Sequence, residues 1–229
     1  NRVLINDMSI YYNPSIVTNG LVLCLDAANR DSYPGAGTVW TDLSGNGNDG
    51  TLTNGPSYSS SNVGGIVFDG TNDYVSIAAN TSFNTTNVSV SLWIKLLGSI
   101  SVDNVLFSKD SGSGYRDYWF YENNGINFLF KNIGTSVIPT ASIANSKWHN
   151  IVGTYNGTVL SLYFNGNLFD SVNTIQTSTS TGGIAINSYP NGTYFASNKI
   201  ISIVLIHNRS LSANEVKQNY NATRNRYGV

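Results

Sequence analysis

Val88-Ser89-Val90-Ser91-Leu92-Trp93-Ile94-Lys95 alternates strictly along its length, with an aliphatic residue at every even position. In an extended strand successive side chains point to opposite faces, so Val88, Val90, Leu92 and Ile94 share one face and Ser89, Ser91, Trp93 and Lys95 the other. The first face is core, and the second is expected to be partly exposed. Working outward, the same rhythm recurs at 22–26, 65–69, 74–78, 102–108, 118–121, 126–131, 148–155, 159–165, 184–187 and 199–207. Asn-Gly pairs beginning at Asn19, Asn46, Asn54, Asn124, Asn156, Asn165 and Asn191 punctuate these runs as tight hairpin turns do. Many short strands with frequent turns predict an all-β, two-sheet antiparallel sandwich.

One segment breaks the pattern. Ser212-Ala213-Asn214-Glu215 spells a capping box, and Val216 and Tyr220 follow as an apolar stripe, so one short C-terminal helix is expected to close the domain. Residues 31–61, rich in Gly, Ser, Asn and Pro, lack sustained alternation and are expected to cross one end of the sandwich as a loop. Residues 1–15 read as an N-terminal arm or edge strand, and 16–229 as one domain.

Composition narrows the function. Charged residues make up 11% of the chain, against about 25% in an average soluble domain, so Asn, Ser, Thr and Gly must wet the surface. Twelve basic and thirteen acidic residues give a net charge of −1 with no Lys/Arg run, which excludes a nucleic-acid partner. No apolar stretch approaches the ~20 residues that cross a bilayer as a helix, so no membrane insertion is expected. The lone Cys24 sits in an apolar run and reads as a small core side chain. The chain begins Asn1-Arg2-Val3, as a processed product or a piece of a longer protein would. Seven Asn-x-Ser/Thr sequons occur, the number chance gives for 32 Asn and 48 Ser or Thr in 229 residues.

Four segments carry a family resemblance. They are Gly20–Ala28 with Trp40–Leu52, then Phe68–Val75, then the pair Trp148–Tyr155 and Leu162–Gly166, and last Ile206–Val216. In this order they resemble the laminin-G-like, concanavalin A-like lectin/glucanase jelly rolls of bacteriophage structural and bacterial surface proteins. The resemblance implies two curved sheets of about six or seven strands each, and it names no ligand, since one fold hosts many functions.

Retaining glycoside cleavage needs two carboxyl groups roughly 5–5.5 Å apart, yet Glu122 and Glu215 are the only glutamates and no strand carries alternating acids. Asp110 and Asp117 flank a glycine-rich turn and read as turn formers. His149 and His207 lie in strands without a nucleophile motif, so no catalytic residue is assigned. Asp42-Leu43-Ser44-Gly45-Asn46-Gly47 opens as a calcium loop does, but Thr53 occupies the position of the required Glu. Asp69, Asn72 and Asp73 form a second oxygen-rich turn and are the candidate Ca2+ ligands, although turn formation explains both motifs without an ion. Tyr115, Arg116, Tyr118, Trp119 and Tyr121 are the candidate ligand-binding residues, because flat rings beside hydrogen-bonding groups suit sugar stacking or protein contact. Alternation puts Tyr118 with Phe120 on one face and Trp119 with Tyr121 on the other, so half of these rings must be core.

The expected function is a non-catalytic attachment module of a virion or an extracellular surface, assembling as an oligomer with other virion or surface proteins and binding a protein partner or a glycan. A calcium-assisted, lectin-like carbohydrate-binding module comes second. Glycoside hydrolysis comes last, for want of the carboxylate pair.

Overall fold

The computed structural model describes residues 14–61, 63–98, 104–110, 116–122, 126–130, 136–137, 146–174, 181–190 and 198–229, with the backbone alone for Asp110, Arg116, 126–130 and 136–137. In chain order the strands are β1 (Leu21–Asp26), β2 (Val39–Trp40), β3 (Gly50–Thr53), β4 (Ser57–Ser59), β5 (Gly65–Asp69), β6 (Tyr74–Ile77), β7 (Val88–Leu96) and β8 (Asn104–Asp110). They continue as β9 (Arg116–Glu122), β10 (Ile126–Phe130), β11 (Ser136–Val137), β12 (Trp148–Tyr155), β13 (Val159–Phe164), β14 (Asn167–Asn173), β15 (Ile184–Ile186) and β16 (Asn198–His207). Helix α1 (Ala213–Thr223) and a 3-10 turn (Arg224–Tyr227) follow.

Two eight-stranded antiparallel sheets form the sandwich. The helix-side sheet runs β14-β13-β12-β7-β16-β5-β4, with β1 also on β16, and the opposite sheet runs β11-β10-β9-β8-β15-β6-β3-β2. Strand β16 serves two partners on one edge, pairing Asn198–Ile201 with β5 and Ile203–His207 with β1. The register breaks between Ile201 and Ile203, and at that break the buried Ser202 donates its hydroxyl to the Gly64 carbonyl at 2.6 Å. Each sheet thus exceeds the six or seven strands expected. Residues 31–61, expected as loop, hold the short strands β2, β3 and β4, which are too brief to show alternation, and β14 was missed because its sequence is largely polar. The expected arm at 1–15 lies outside the described residues up to 13, while the Ser15 carbonyl accepts a 2.8 Å bond from Gln218 of α1.

Between the sheets, Val88, Val90, Leu92 and Ile94 of β7 meet Val75, Ile77, Phe107, Tyr118, Phe120, Ile184 and Ile186. The other face of β7 is not half-exposed as its alternation predicted. Ser89, Ser91 and Trp93 are buried; Ser89 bonds Arg209 and Leu211 and Trp93 bonds Thr223 of the C-terminal segment, while Ser91 accepts from Asn150 of β12. Trp93 stacks on Tyr227 with ring centroids 3.9 Å apart and donates its indole N–H to Thr223 at 2.9 Å. A large apolar side chain removed from water contributes about 1.5–3 kcal/mol, so this second core is a substantial part of what holds α1 in place. The helix starts as its sequence predicted: Ser212 Oγ accepts from the Glu215 N–H, and the Glu215 side chain accepts from the Ser212 N–H. Arg209 pairs with Glu215 at 2.5 Å and, with the Ser212 amide, lowers its pKa to about 2.

Candidate functional site

Strand β9 distributes its side chains as alternation requires. Tyr118 and Phe120 point into the inter-sheet core, where Tyr118 is 1% exposed, stacks near Phe107 at 6.1 Å, and has its hydroxyl pKa pushed well up by burial. Tyr118 is therefore packing and offers no ligand surface, contrary to its place among the expected binding residues. Trp119 and Tyr121 occupy the outer face, Trp119 buried and Tyr121 half-buried, and Trp119 stands opposite the fully buried Ser108. Tyr115 lies outside the described residues, and of Arg116 the backbone alone is described. The neighbouring acid, Asp117, is 1% exposed and is held by Lys109 Nζ at 2.5 Å, so its carboxylate is committed to an ion pair.

A second charged pair sits deeper. Glu122, the inward residue at the end of β9, is fully buried, and among the described residues neither carboxylate oxygen has a hydrogen-bond partner. Lys199 of β16 is fully buried as well, donating to Asn187 Oδ1 at 2.5 Å and to the Val105 carbonyl at 3.3 Å. Burial raises the Glu122 pKa to about 7 against the pull of Lys199, and burial lowers that of Lys199 to about 7 against the pull of Glu122.

The oxygen-rich turns close on themselves. Asp69 Oδ1 accepts from the Thr71 N–H at 2.7 Å, Asp73 Oδ2 accepts from the Asp69 N–H at 3.1 Å, and the Asn72 carbonyl accepts from Asn54 at 3.0 Å. Burial raises the Asp73 pKa, which opposes the charged form an ion would need. Calcium takes six to eight oxygens, and in this turn one oxygen of Asp69 and one of Asp73 are each given to a backbone N–H. Asp42 is likewise the hub of its loop, accepting from the backbone N–H groups of Cys24, Ser44 and Asn48 and from the Ser44 hydroxyl. Among the described residues no three of His, Cys, Asp or Glu converge on a metal position.

His207 is fully buried with Nε2 2.9 Å from the Val17 carbonyl, and burial keeps its pKa low. His149 lies differently, half-buried on the wall of an open cleft of about 460 Å³, within the roughly 300–1,000 Å³ typical of small-ligand sites. Lys147, Trp148 and His149 enter this cleft from the start of β12, Asn165 from the turn between β13 and β14, and Tyr227 from the C-terminal 3-10 turn. The Trp148 and Tyr227 rings lie 4.9 Å apart, tilted by 52°. Asn165 is fixed by two bonds to the Asn150 backbone, donating its N–H at 2.8 Å and accepting on Oδ1 at 2.9 Å. Gly166, at φ +73°, lets this turn press on Tyr220, since a Cβ there would stand 2.8 Å from the ring. The cleft escaped the sequence reading because its walls come from segments more than sixty residues apart in places. The signals present were Trp148-His149 and Asn165-Gly166, read there only as strand and turn.

The model of the Concanavalin A-like lectin/glucanases superfamily, in its laminin G form, matches residues 69–217. The chain belongs to this superfamily. Its fold is shared, at low identity, with several solved structures. The binding domain of Paraclostridial Mosquitocidal Protein 1 superposes with a TM-score of 0.73 at 18% identity, over 91% of this chain and 53% of that one. Trypanosoma rangeli sialidase in complex with the inhibitor DANA gives 0.70 at 17% identity, over 90% of this chain and 33% of that one. The binding domain of Botulinum Neurotoxin DC in complex with SialylT gives 0.70 at 14%, over 90% and 52%. This laminin-G-like chain thus spans about half of each toxin binding domain and a third of the sialidase. Among the curated proteins none matches it.

Proposed function

We propose that this laminin-G-like chain is a non-catalytic carbohydrate-binding module, and that the cleft between the start of β12 and the C-terminal turn is its binding site. The observation that carries the reading is the lining of that cleft. The largely buried rings of Trp148 and Tyr227 border it, beside the Asn165 amide, the His149 imidazole and the exposed Lys147 ammonium group, a mixture of apolar edge and few polar groups of the kind by which small polar ligands are held. The toxin binding domain solved with SialylT supports the fold's use for such ligands. The state of the acids supports binding over cleavage: Asp117 is committed to Lys109, and Glu122 faces Lys199 inside the sandwich.

A module of this kind serves attachment, on a virion or another extracellular surface, in an assembly with other surface proteins. Its low charge and closely hydrogen-bonded turns support that setting, since short bonded loops open rarely to proteases. A broad glycan array probed with the full chain tests the carbohydrate reading: binding to at least one saccharide is expected, and silence across the array overturns it. The attachment setting is tested by the composition of purified particles or cell surfaces, where the chain is expected at fixed stoichiometry and its absence refutes the assignment.

A further inference from the structure

Inside the sandwich three polar side chains converge, Lys199 of β16, Asn187 just after β15 and Glu122 of β9, each 0% exposed. Three successive residues of β8 place them. Glu122 stands opposite Asn104 in the β8–β9 register, the Val105 carbonyl accepts from Lys199 Nζ at 3.3 Å, and the Leu106 carbonyl accepts the Asn187 backbone N–H at 3.0 Å. Lys199 Nζ also lies 2.5 Å from Asn187 Oδ1, so the amide carbon, one C=O bond further on, is within about 3.7 Å of the amine nitrogen. That is close to the roughly 3–3.5 Å at which held reactants attack. The Asn187 amide nitrogen is fixed from its other side, donating to the Asp73 carbonyl at 2.7 Å. Neither oxygen of Glu122 has a hydrogen-bond partner among the described residues, so no bond holds its carboxyl away from the other two. Burial favours the neutral forms, lowering Lys199 to about 7 against the pull of Glu122 and raising Glu122 to about 7. A desolvated neutral lysine is a nucleophile, and a neutral carboxyl beside it is a general acid.

We propose that Lys199 and Asn187 join in an intramolecular isopeptide bond that ties β16 of one sheet to the end of β15 in the other, with Glu122 carrying the protons. The Nζ lone pair attacks Asn187 Cγ, and the C=O π electrons move onto Oδ1. Glu122 gives its proton to Nδ2 and takes one from the attacking nitrogen; the C=O then re-forms, the C–Nδ2 bond breaks and ammonia leaves. One amine and one carboxamide become one secondary amide and one ammonia, with Glu122 regenerated and no oxidant or cofactor consumed. The product places an uncharged amide where the unreacted chain buries an ionisable amine, which removes a desolvation cost. Unreacted chain is the state in which Glu122 and Lys199 titrate as a pair. None of the three residues lines the cleft, so the cross-link stands apart from the carbohydrate reading.

Intact mass spectrometry of the full chain, followed by digestion with trypsin, tests the bond. The folded chain should weigh about 17 Da less than its sequence, the mass of one ammonia. Trypsin should then fail to cleave after Lys199 and should release one peptide from Trp148 to Arg209, because no Lys or Arg lies between Trp148 and Lys199. Glu122→Gln, which keeps the shape of the side chain, and Lys199→Met should each show the full mass of their sequence, and Glu122→Gln should be cleaved after Lys199. Native chain that keeps its full mass after prolonged incubation at about pH 7, with normal cleavage after Lys199, would overturn the proposal. A loss of about 17 Da that survives in Lys199→Met would mark ring closure at an Asn-Gly pair and would overturn it equally. A loss of about 18 Da would be water and would place the bond between Lys109 and Asp117 instead. A cross-link still formed in Glu122→Gln would overturn the role given to Glu122.

Discussion

The buried pair Glu122 and Lys199 should give the fold a stability minimum near neutral pH, the reverse of the usual optimum. The unfolded chain releases the Glu122 proton near the ordinary 4.5, whereas the folded chain holds it to about 7. Between those values the folded state binds more protons, so its stability falls as pH rises, by about 1.4 kcal/mol per pH unit. Across the window the loss is about 3 kcal/mol, a large fraction of the 5–15 kcal/mol that holds a typical domain. Lys199 acts oppositely: its folded pKa of about 7 lies below the ordinary 10.5, so in that interval the unfolded state binds more protons and stability climbs again. His207, its pKa kept low by burial, loses stability for the folded state as pH drops through 6.5 and partly masks the acidic limb in the native protein. Comparison with Glu122→Gln cancels that background. In urea denaturation from about pH 5 to about pH 7, the native protein should lose about 2 kcal/mol relative to the variant. Lys199→Met deprives Glu122 of its counter-charge and should carry the acidic limb above pH 7. A native-minus-variant difference that stays level from pH 5 to 7 would refute the reasoning.

Other outcomes follow from single contacts. Ser212→Ala removes the hydroxyl that accepts from the Glu215 amide and should cost about 1 kcal/mol in urea denaturation. The stabilisation from Glu215, whose pKa is lowered to about 2, is complete above 4.5 and lost as pH falls through that interval, so acid titration of Glu215→Gln should lack this component. Gly166→Ala places a Cβ against the Tyr220 ring at positive φ and should destabilise by about 2 kcal/mol, read as a drop in melting temperature. Millimolar calcium or a chelator should leave that temperature unchanged, because the Asp69 and Asp73 carboxylates are bonded within their own turn; a rise with calcium would show a bound ion.

Much of the fold was legible because period-two alternation and Asn-Gly turns are local signals. The turn at Asn165 is a case in point: Asn165 and Gly166 both take positive φ, the geometry that a two-residue hairpin demands. The capping box at Ser212 was legible for the same reason, its whole mechanism lying within four residues. Strand β7 shows where local reading stops. Its inward face matches the alternation, but Ser89 and Trp93, expected near solvent, are buried under the chain's return more than a hundred residues later. Alternation reports that two faces differ, and it is silent about what the chain lays over the second.

The same limit governs the candidate site. Aromatic density drew attention to β9, yet a run of rings in a strand sends every second one inward, and Tyr118 went with Phe120 into the core. The cleft instead takes Lys147 to His149, Asn165 and Tyr227 from separate segments, none of which is conspicuous alone. What unites them is the C-terminal turn docking on Trp93, which brings Tyr227 within 4.9 Å of Trp148. The second core and the binding wall are therefore one construction: whatever loosens α1 and the 3-10 turn from the sheet also dismantles the aromatic side of the cleft. Trp93→Ala should then reduce saccharide binding although Trp93 does not line the cleft, whereas a site on the outer face of β9 would be left intact.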